Sequence, residues 1–190
     1  EKRPKNFFMY QDTTLNTRKS VLSNEKYLKN KIDGKQNKEK LNIGNNAIDK
    51  ICFFDRNFTI KKFLSGAKNA FEIIIKSFAK GNINKIKNLL GSDVYSTFSK
   101  AIKARVQKKQ TLEHTLVSIK KVKIENINVK SSIADIVVKF VSEQVNLLKN
   151  QKGKILKGDG EFIENHTNYW TFSKDMKSSN PNWKLVATKA

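Results

Sequence analysis

The apolar residues of this chain change their spacing once, near residue 110, and that change sets the order of its architecture. Upstream, from Thr59 onward, Phe63, Ala67, Ala70, Phe71, Ile74 and Phe78 recur at helical spacing. Lys61, Lys62, Lys68, Glu72, Lys76 and Lys80 fall mostly off that stripe. Downstream the period becomes two. TLVSIKKVKIENINV alternates in two halves, Val117/Ile119 and Val122/Ile124, with a slip at Lys120–Lys121 of the kind a β-bulge produces. Helices followed by strands with hairpin-length connections mean an α+β fold, its N-terminal helices on one face of a curved antiparallel sheet.

Local signals punctuate this plan. Thr59 is the expected N-cap of the first long helix and Gly81 its stop. Asn82 opens a short helix bearing Ile83, Ile86, Leu89 and Leu90, closed by Gly91. Ser92 is expected to cap a third helix, with Asp93 in its first turn and Val94, Tyr95, Phe98, Ile102 and Val106 on its buried side. Ala134, Ile136, Val138 and Phe140 share one strand face, and Ile133, Val137 and Val141 share the other. GKILKGDG reads as a turn-rich connection, Phe162 to Phe172 as a third strand region and Trp183 to Thr188 as a fourth. The last two flank a polar turn holding Asn180, Pro181 and Asn182, which makes a C-terminal hairpin. Residues 1–50 are expected to be a basic, weakly ordered linker with helical patches, FFMY at 7–10 and Val21 to Leu28 among them. Residues 51–190 form the domain, large enough at ~140 residues for one core.

The 190 residues carry a net charge of +21, from 38 Lys plus Arg against 17 Asp plus Glu. Such a surface favours a polyanion: acidic lipid, nucleic acid or an acidic partner. Only four of the cations are Arg, which argues against sequence-specific nucleic-acid readout, where bidentate Arg contacts to guanine dominate. Cys52 is the one cysteine, so no disulfide holds the chain together. No apolar run approaches the ~20 residues that cross a bilayer. The opening EKRPKNFFMY lacks the apolar stretch of a signal peptide.

Chemistry has few candidates. His114 and His166 sit in no zinc-ligand spacing, so no metal site is expected, and no cofactor motif stands out. His166 paired with Asp135 or Asp159 is a conceivable acid–base dyad, but nothing in the spacing selects a pair, and the expectation is a chain that is not an enzyme. Phe71, Phe78, Tyr95, Phe98, Phe140, Trp170, Phe172 and Trp183 all fall on inferred inward faces. They are either plain core or the lining of an apolar pocket for an acyl chain or an apolar peptide. The lysines of the first long helix are either a solvated face or an anchor to anionic lipid. One apolar face cannot serve both core and lipid, so Phe71 and Phe78 go to the core and AIDKICFFDRNFTIKKFL, residues 47–64, is the expected lipid-touching segment.

The stretch FFDRNFTIKKFLSGAKNAFEIIIKSFAKGNINKIKNLLGSDVYSTFSKAIKAR resembles the C-terminal domain of the forty-four-kilodalton subunit of the mitochondrial inner-membrane protein translocase. Its alphaproteobacterial relatives look closest. FD, FLSGAKNAFE, FAKGN, DVY, AIKAR, TLEHTLVSI, GD, WTF and PNWKLVAT carry the resemblance in order from residue 53 to residue 190. Asn168 departs from it, since the family usually has an acidic residue before the aromatic run. The resemblance implies a four-stranded curved sheet with helices on its concave face, the cystatin or nuclear-transport-factor-like architecture. It implies a non-enzymatic, peripheral inner-membrane adaptor that favours cardiolipin and assists protein translocation or membrane-complex assembly, in a bacterium, with translocase or chaperone subunits as further partners. Membrane attachment carries over to Lys50, Arg56, Lys61, Lys62 and Lys68. A ribosome- or RNA-associated membrane-anchoring module of the same fold is the alternative.

Overall fold

The computed structural model of the chain describes residues 39–189; FFMY and the Val21–Leu28 run lie outside them. Helix α1, Glu39–Phe54, begins within the segment expected to be a linker with helical patches. Ala47 and Ile51, one turn apart, form its buried stripe. The chain then turns at Asp55, whose side chain accepts from the Asn57 N–H at 3.0 Å. Helix α2, Ile60–Ala79, starts where Thr59 Oγ1 accepts from the Lys62 N–H at 3.2 Å, so the expected N-cap is in place. Gly81 ends it at φ +75, with Asn82 N–H bonded to Ser77 O and Gly81 N–H to Phe78 O, the Schellman arrangement that requires a left-handed residue. The short helix is a 3-10 segment, Ile83–Leu89, that buries Ile86.

Helix α3 spans Ser92–Gln107. Its N-cap is Gly91 rather than Ser92, and the Ser92 hydroxyl donates to Asp93 Oδ1 instead. Val94, Phe98 and Ile102 are buried as expected, but Tyr95 is half-buried and Val106, in the last turn, is 66% exposed. Arg105 ties the two long helices together. Its Nη2 donates to Phe78 O at 2.8 Å and Ala79 O at 2.9 Å, satisfying carbonyls at the end of α2, and the guanidinium lies 5.3 Å from the Phe78 ring centre. Burial pushes the guanidinium's pKa below its usual value.

The sheet is open and antiparallel, in the order β1 (Thr111–Lys130), β2 (Ile133–Lys149), β4 (Glu164–Asp175), β5 (Lys184–Lys189). β3, Ile155–Lys157, adds a short fifth strand against β2 within the stretch expected to be only a turn. Phe162 and Ile163, expected in a strand, are exposed and precede β4. β1 is interrupted at three places, 116/118, 119/121 and 124/126, of which only the second was expected. Each interruption inserts one residue and reverses which parity faces inward. Leu112, His114 and Leu116 therefore share a face with Ile119, then Val122 and Ile124, then Ile127 and Val129. Val117 is the inserted residue of the first bulge and is exposed rather than inward. The exposed Lys120, Lys121 and Lys123, together with these bulges, blunt the free edge of β1 against pairing with another chain.

The helices cover the face that carries Ala134, Ile136, Val138 and Phe140 of β2 and Trp170 and Phe172 of β4. Leu185 of β5 closes the core at the other edge, accepting from the Gly91 N–H at 2.8 Å.

Arg105→Ala removes two charge-assisted hydrogen bonds and should cost about 2 kcal/mol in urea unfolding. Arg105→Lys should recover less than half of that, since an ammonium is more strongly hydrated and loses the planar guanidinium's packing on the Phe78 ring. Full rescue by Lys would show that charge alone suffices.

Candidate functional site

The aromatic residues expected to line a pocket pack on one another. Phe71 of α2 stacks on Phe140 with ring centres 4.3 Å apart and planes 16° apart, and Trp170 lies 4.7 Å from Phe71. Trp170 leads to Phe172, Phe172 to Phe63, and Phe63 to Trp183 at 5.0 Å. Phe78 and Phe98 form a separate contact at 4.8 Å. Tyr95 stands apart, its hydroxyl donating to Asn84 Oδ1 at 3.1 Å and its ring 6.0 Å from the Lys87 ammonium. Phe71, Phe140 and Trp170 are fully buried.

This packing settles which surface of the helical layer is free. The buried residues of α2 are Phe63, Ala67, Phe71, Ile74, Ile75, Phe78 and Ala79, flanked by the partly buried Leu64 and Ala70. Lys62, Asn69 and Lys76, spaced by seven, lie on the opposite side, where Ile73 is also 50% exposed, while Lys61 and Lys68 flank the buried arc. The most exposed apolar side chain of the described helices is at the corner between α1 and α2. Phe53 is 81% exposed and Phe54 and Ile60 also reach solvent. The two rings meet edge-to-face at 5.3 Å. Lys50 is one turn before Phe53 and Phe54, Arg56 follows in the turn, and Lys61 and Lys62 come directly after Ile60; all four are exposed. Lys68 is the outlying member, nearly two turns further along α2. None of the five makes an ion pair among the described residues.

Charge is skewed in the same direction. Residues 39–110, which hold the helices, carry 15 basic and 5 acidic side chains, whereas residues 111–190 carry 13 and 8. The helical layer is thus the more cationic side, although it is the shorter part.

The model of the Tim44-like domain family matches residues 44–190. The chain belongs to the Tim44-like domain family. Its members are membrane-associated adaptors of protein translocation. A search of curated proteins gives no match. Among solved structures, the intermembrane-space region of the chloroplast protein ARC6 aligns at a TM-score of 0.47 and 14% identity, covering 66% of this chain and 94% of that one. No helix among the described residues is long and apolar enough to cross a membrane.

His114 of this Tim44-like domain is inside β1, on the inner face, and His166 is inside β4. His166 pairs with neither Asp135 nor Asp159. Asp135 falls on the outer face of β2, and Asp159 accepts from the Glu161 N–H in a turn. The carboxylate at His166 Nε2 is Glu164, 3.1 Å away and 46% exposed. Around the two imidazoles stand Ser142, Gln144 and Asn146, all buried on the inward parity of β2, and the equally buried Asn168 of β4. Their signal in the sequence was the period-two pattern continuing past Phe140 with polar residues in apolar slots. No group of three His, Cys, Asp or Glu among the described residues could hold a metal.

His114 Nε2 lies 3.1 Å from Gln144 Oε1. Desolvation lowers the imidazole's pKa, the Gln144 hydrogen bond opposes this, and nearby His166 lowers it further. A histidine held neutral in the fold takes up fewer protons than in the unfolded chain once pH drops below the ordinary value of 6.5. Stability should therefore be full above that value and fall as pH decreases through it, levelling off below the depressed folded pKa. Melting curves from pH 8 to pH 5 should show this loss in the native chain and a smaller one in His114→Gln; equal slopes would contradict it.

Proposed function

We propose that this Tim44-like domain is a non-enzymatic adaptor that docks peripherally on an anionic, cardiolipin-like bilayer through the α1–α2 corner and assists protein translocation or membrane-complex assembly. One observation carries the reading: an almost fully exposed Phe53, beside Phe54 and Ile60, inside a rim of Lys50, Arg56, Lys61 and Lys62. A core needs none of these apolar side chains at that corner, and water disfavours them. In the interfacial layer of a bilayer, burial of a Phe side chain contributes about 1.5–3 kcal/mol. Each rim cation adds about 1 kcal/mol near an anionic surface. The long lysine stems let hydrocarbon sink while the ammonium groups stay at headgroup depth. Lys68, set back on α2, contributes through the field rather than by contact, as do the other cations of the helical layer.

Exposed aromatics among lysines also suit single-stranded RNA, where bases stack on rings and phosphates draw the cations. Ile60 has no π-face to offer a base, which favours lipid.

Sedimentation with vesicles separates the readings. Binding should be strong to vesicles containing cardiolipin and absent from neutral phosphatidylcholine. Phe53→Ser should weaken it about tenfold, and Lys61→Glu with Lys62→Glu by at least about thirtyfold. Equal binding to neutral and anionic vesicles at low salt would remove the lipid claim. RNA binding that falls steeply with salt and is indifferent to Ile60→Ser would establish the RNA reading in its place.

A further inference from the structure

The last turn of α3 and the hairpin between β2 and β3 border one open cleft of about 610 Å³. Val106, 66% exposed, is its one apolar lining side chain, and Lys109, Gln110, Lys149 and Gln151 stand around it. Backbone chemistry fixes both walls. On one side the Lys109 N–H donates to Val106 O at 2.9 Å and the Gln110 N–H to Arg105 O at 3.0 Å, closing α3. Lys109 is held there at φ +51, a left-handed position that glycine or asparagine usually fills. On the other side Asn150 Oδ1 accepts from the N–H groups of Lys152 and Lys154, at 2.9 and 3.0 Å, which sets the hairpin.

Charge in both walls is of one sign. No acidic side chain occurs between Asp93 and Glu113, a stretch that carries Lys100, Lys103, Arg105, Lys108 and Lys109. None occurs between Glu143 and Asp159, a stretch that carries Lys149, Lys152, Lys154 and Lys157. Glu113 is the lone carboxylate among the described lining residues, and Lys149 Nζ donates to both its oxygens, at 2.8 and 2.7 Å. The side chains of Lys109, Gln110 and Gln151 make no hydrogen bond or ion pair among the described residues. The cleft therefore has the volume of a ligand pocket, about 300–1,000 Å³, without the apolar lining that small molecules need.

We propose that this cleft docks a short acidic segment of a partner protein, with an aliphatic side chain resting on Val106 and carboxylates meeting the lysines. Charge decides against a second copy of this chain, which carries +21, and against its residues 1–38, with ten basic and four acidic side chains. A bilayer is flat and does not follow a concave surface. Single-stranded RNA needs rings on which bases stack, and none of the described residues lining the cleft is aromatic. The unpaired amides of Gln110 and Gln151 both donate and accept, as a peptide main chain requires. The cleft is remote from the aromatic corner. Arg105 ties the end of α3 to Phe78 and Ala79, and these lie on the order of 30 Å from Ile60 along the 20 residues of α2. Its failure would leave the membrane reading standing.

The test is fluorescence anisotropy of a labelled, end-capped peptide, Glu-Leu-Glu-Glu-Leu-Glu, titrated with the whole chain at about 0.15 M salt, where exposed charges are screened beyond about 8 Å. Binding should saturate, and it should vanish when Gln replaces Glu in the peptide. Val106→Glu should weaken it at least about tenfold. Lys109→Asn, which suits the left-handed backbone, should weaken it about two- to fivefold. Glu113→Gln loses only an exposed ion pair and should tighten it about two- to fivefold. Lys61→Glu with Lys62→Glu, far beyond the screening length, should leave it unchanged. Equal weakening by that remote pair would show that net charge alone draws the peptide, and would overturn the site. Absence of saturation, or binding indifferent to Val106→Glu, does the same. If Val106→Glu melts early, Glu113→Gln decides, and a failure to tighten overturns the site. A uridine hexamer that displaces the peptide and is weakened by Val106→Glu would make this a nucleic-acid site instead. Cardiolipin vesicles released by Val106→Glu would assign it to lipid.

Discussion

The stack of Phe71 on Phe140, with Trp170 against both, is the contact on which the arrangement of this domain depends. It fixes α2 across the sheet at the middle of the helix and uses hydrocarbon from two strands and one helix in a single cluster. With that cluster formed, the inward arc of α2 is committed to the core, and the outward arc is left to Lys62, Asn69, Glu72, Ile73 and Lys76. Phe71 and Phe78 go to the core, and the most exposed aromatic ring of the helical layer, Phe53, is where that layer turns a corner, beside Phe54 and Ile60. Arg105 is half-buried at the end of α2, where its Nη2 alone donates to two of the last carbonyls of that helix.

β1 shows how much sequence a bend consumes. Its three inserted residues turn a twenty-residue strand through three changes of parity, so it follows β2 while keeping apolar side chains inward. Bulges increase local twist and bend the strand that carries them. They also remove the regular edge that another chain could pair with, in a protein where β5 is already tied to Gly91 by the Leu185 carbonyl.

The order of elements, the Thr59 cap, the Gly81 stop and the C-terminal hairpin were legible because each rests on local chemistry: a hydroxyl that accepts a free N–H, a residue without a Cβ, a polar turn between two aromatic runs. The outer two bulges of β1 were hidden because a single inserted residue, such as Val117, looks like part of an alternating pattern until its partner strand is known. The third helix was read one turn too apolar at its end, since periodicity places Val106 on the stripe but cannot say whether another element covers it. The basic segment was legible as residues 47–64, yet the choice of Phe53 as its most exposed residue follows only from the burial of Ile51 opposite it. The polar residues after Phe140 were missed for a different reason. A search for core weighs apolar slots, and Ser142, Gln144 and Asn146 keep the period of the strand while breaking its chemistry.

The two unusual regions lie at opposite ends of the sheet. Phe58, in the corner between α1 and α2, has its ring 6.2 Å from Trp183, which enters β5 beside the end of β4 and the start of β2. Asn146 is a dozen residues further along β2, a separation on the order of 30 Å even along a bent strand. The aromatic stack of Phe71, Phe140 and Trp170 occupies the span between them, so the buried core separates the exposed aromatic corner from the polar end of the inner face.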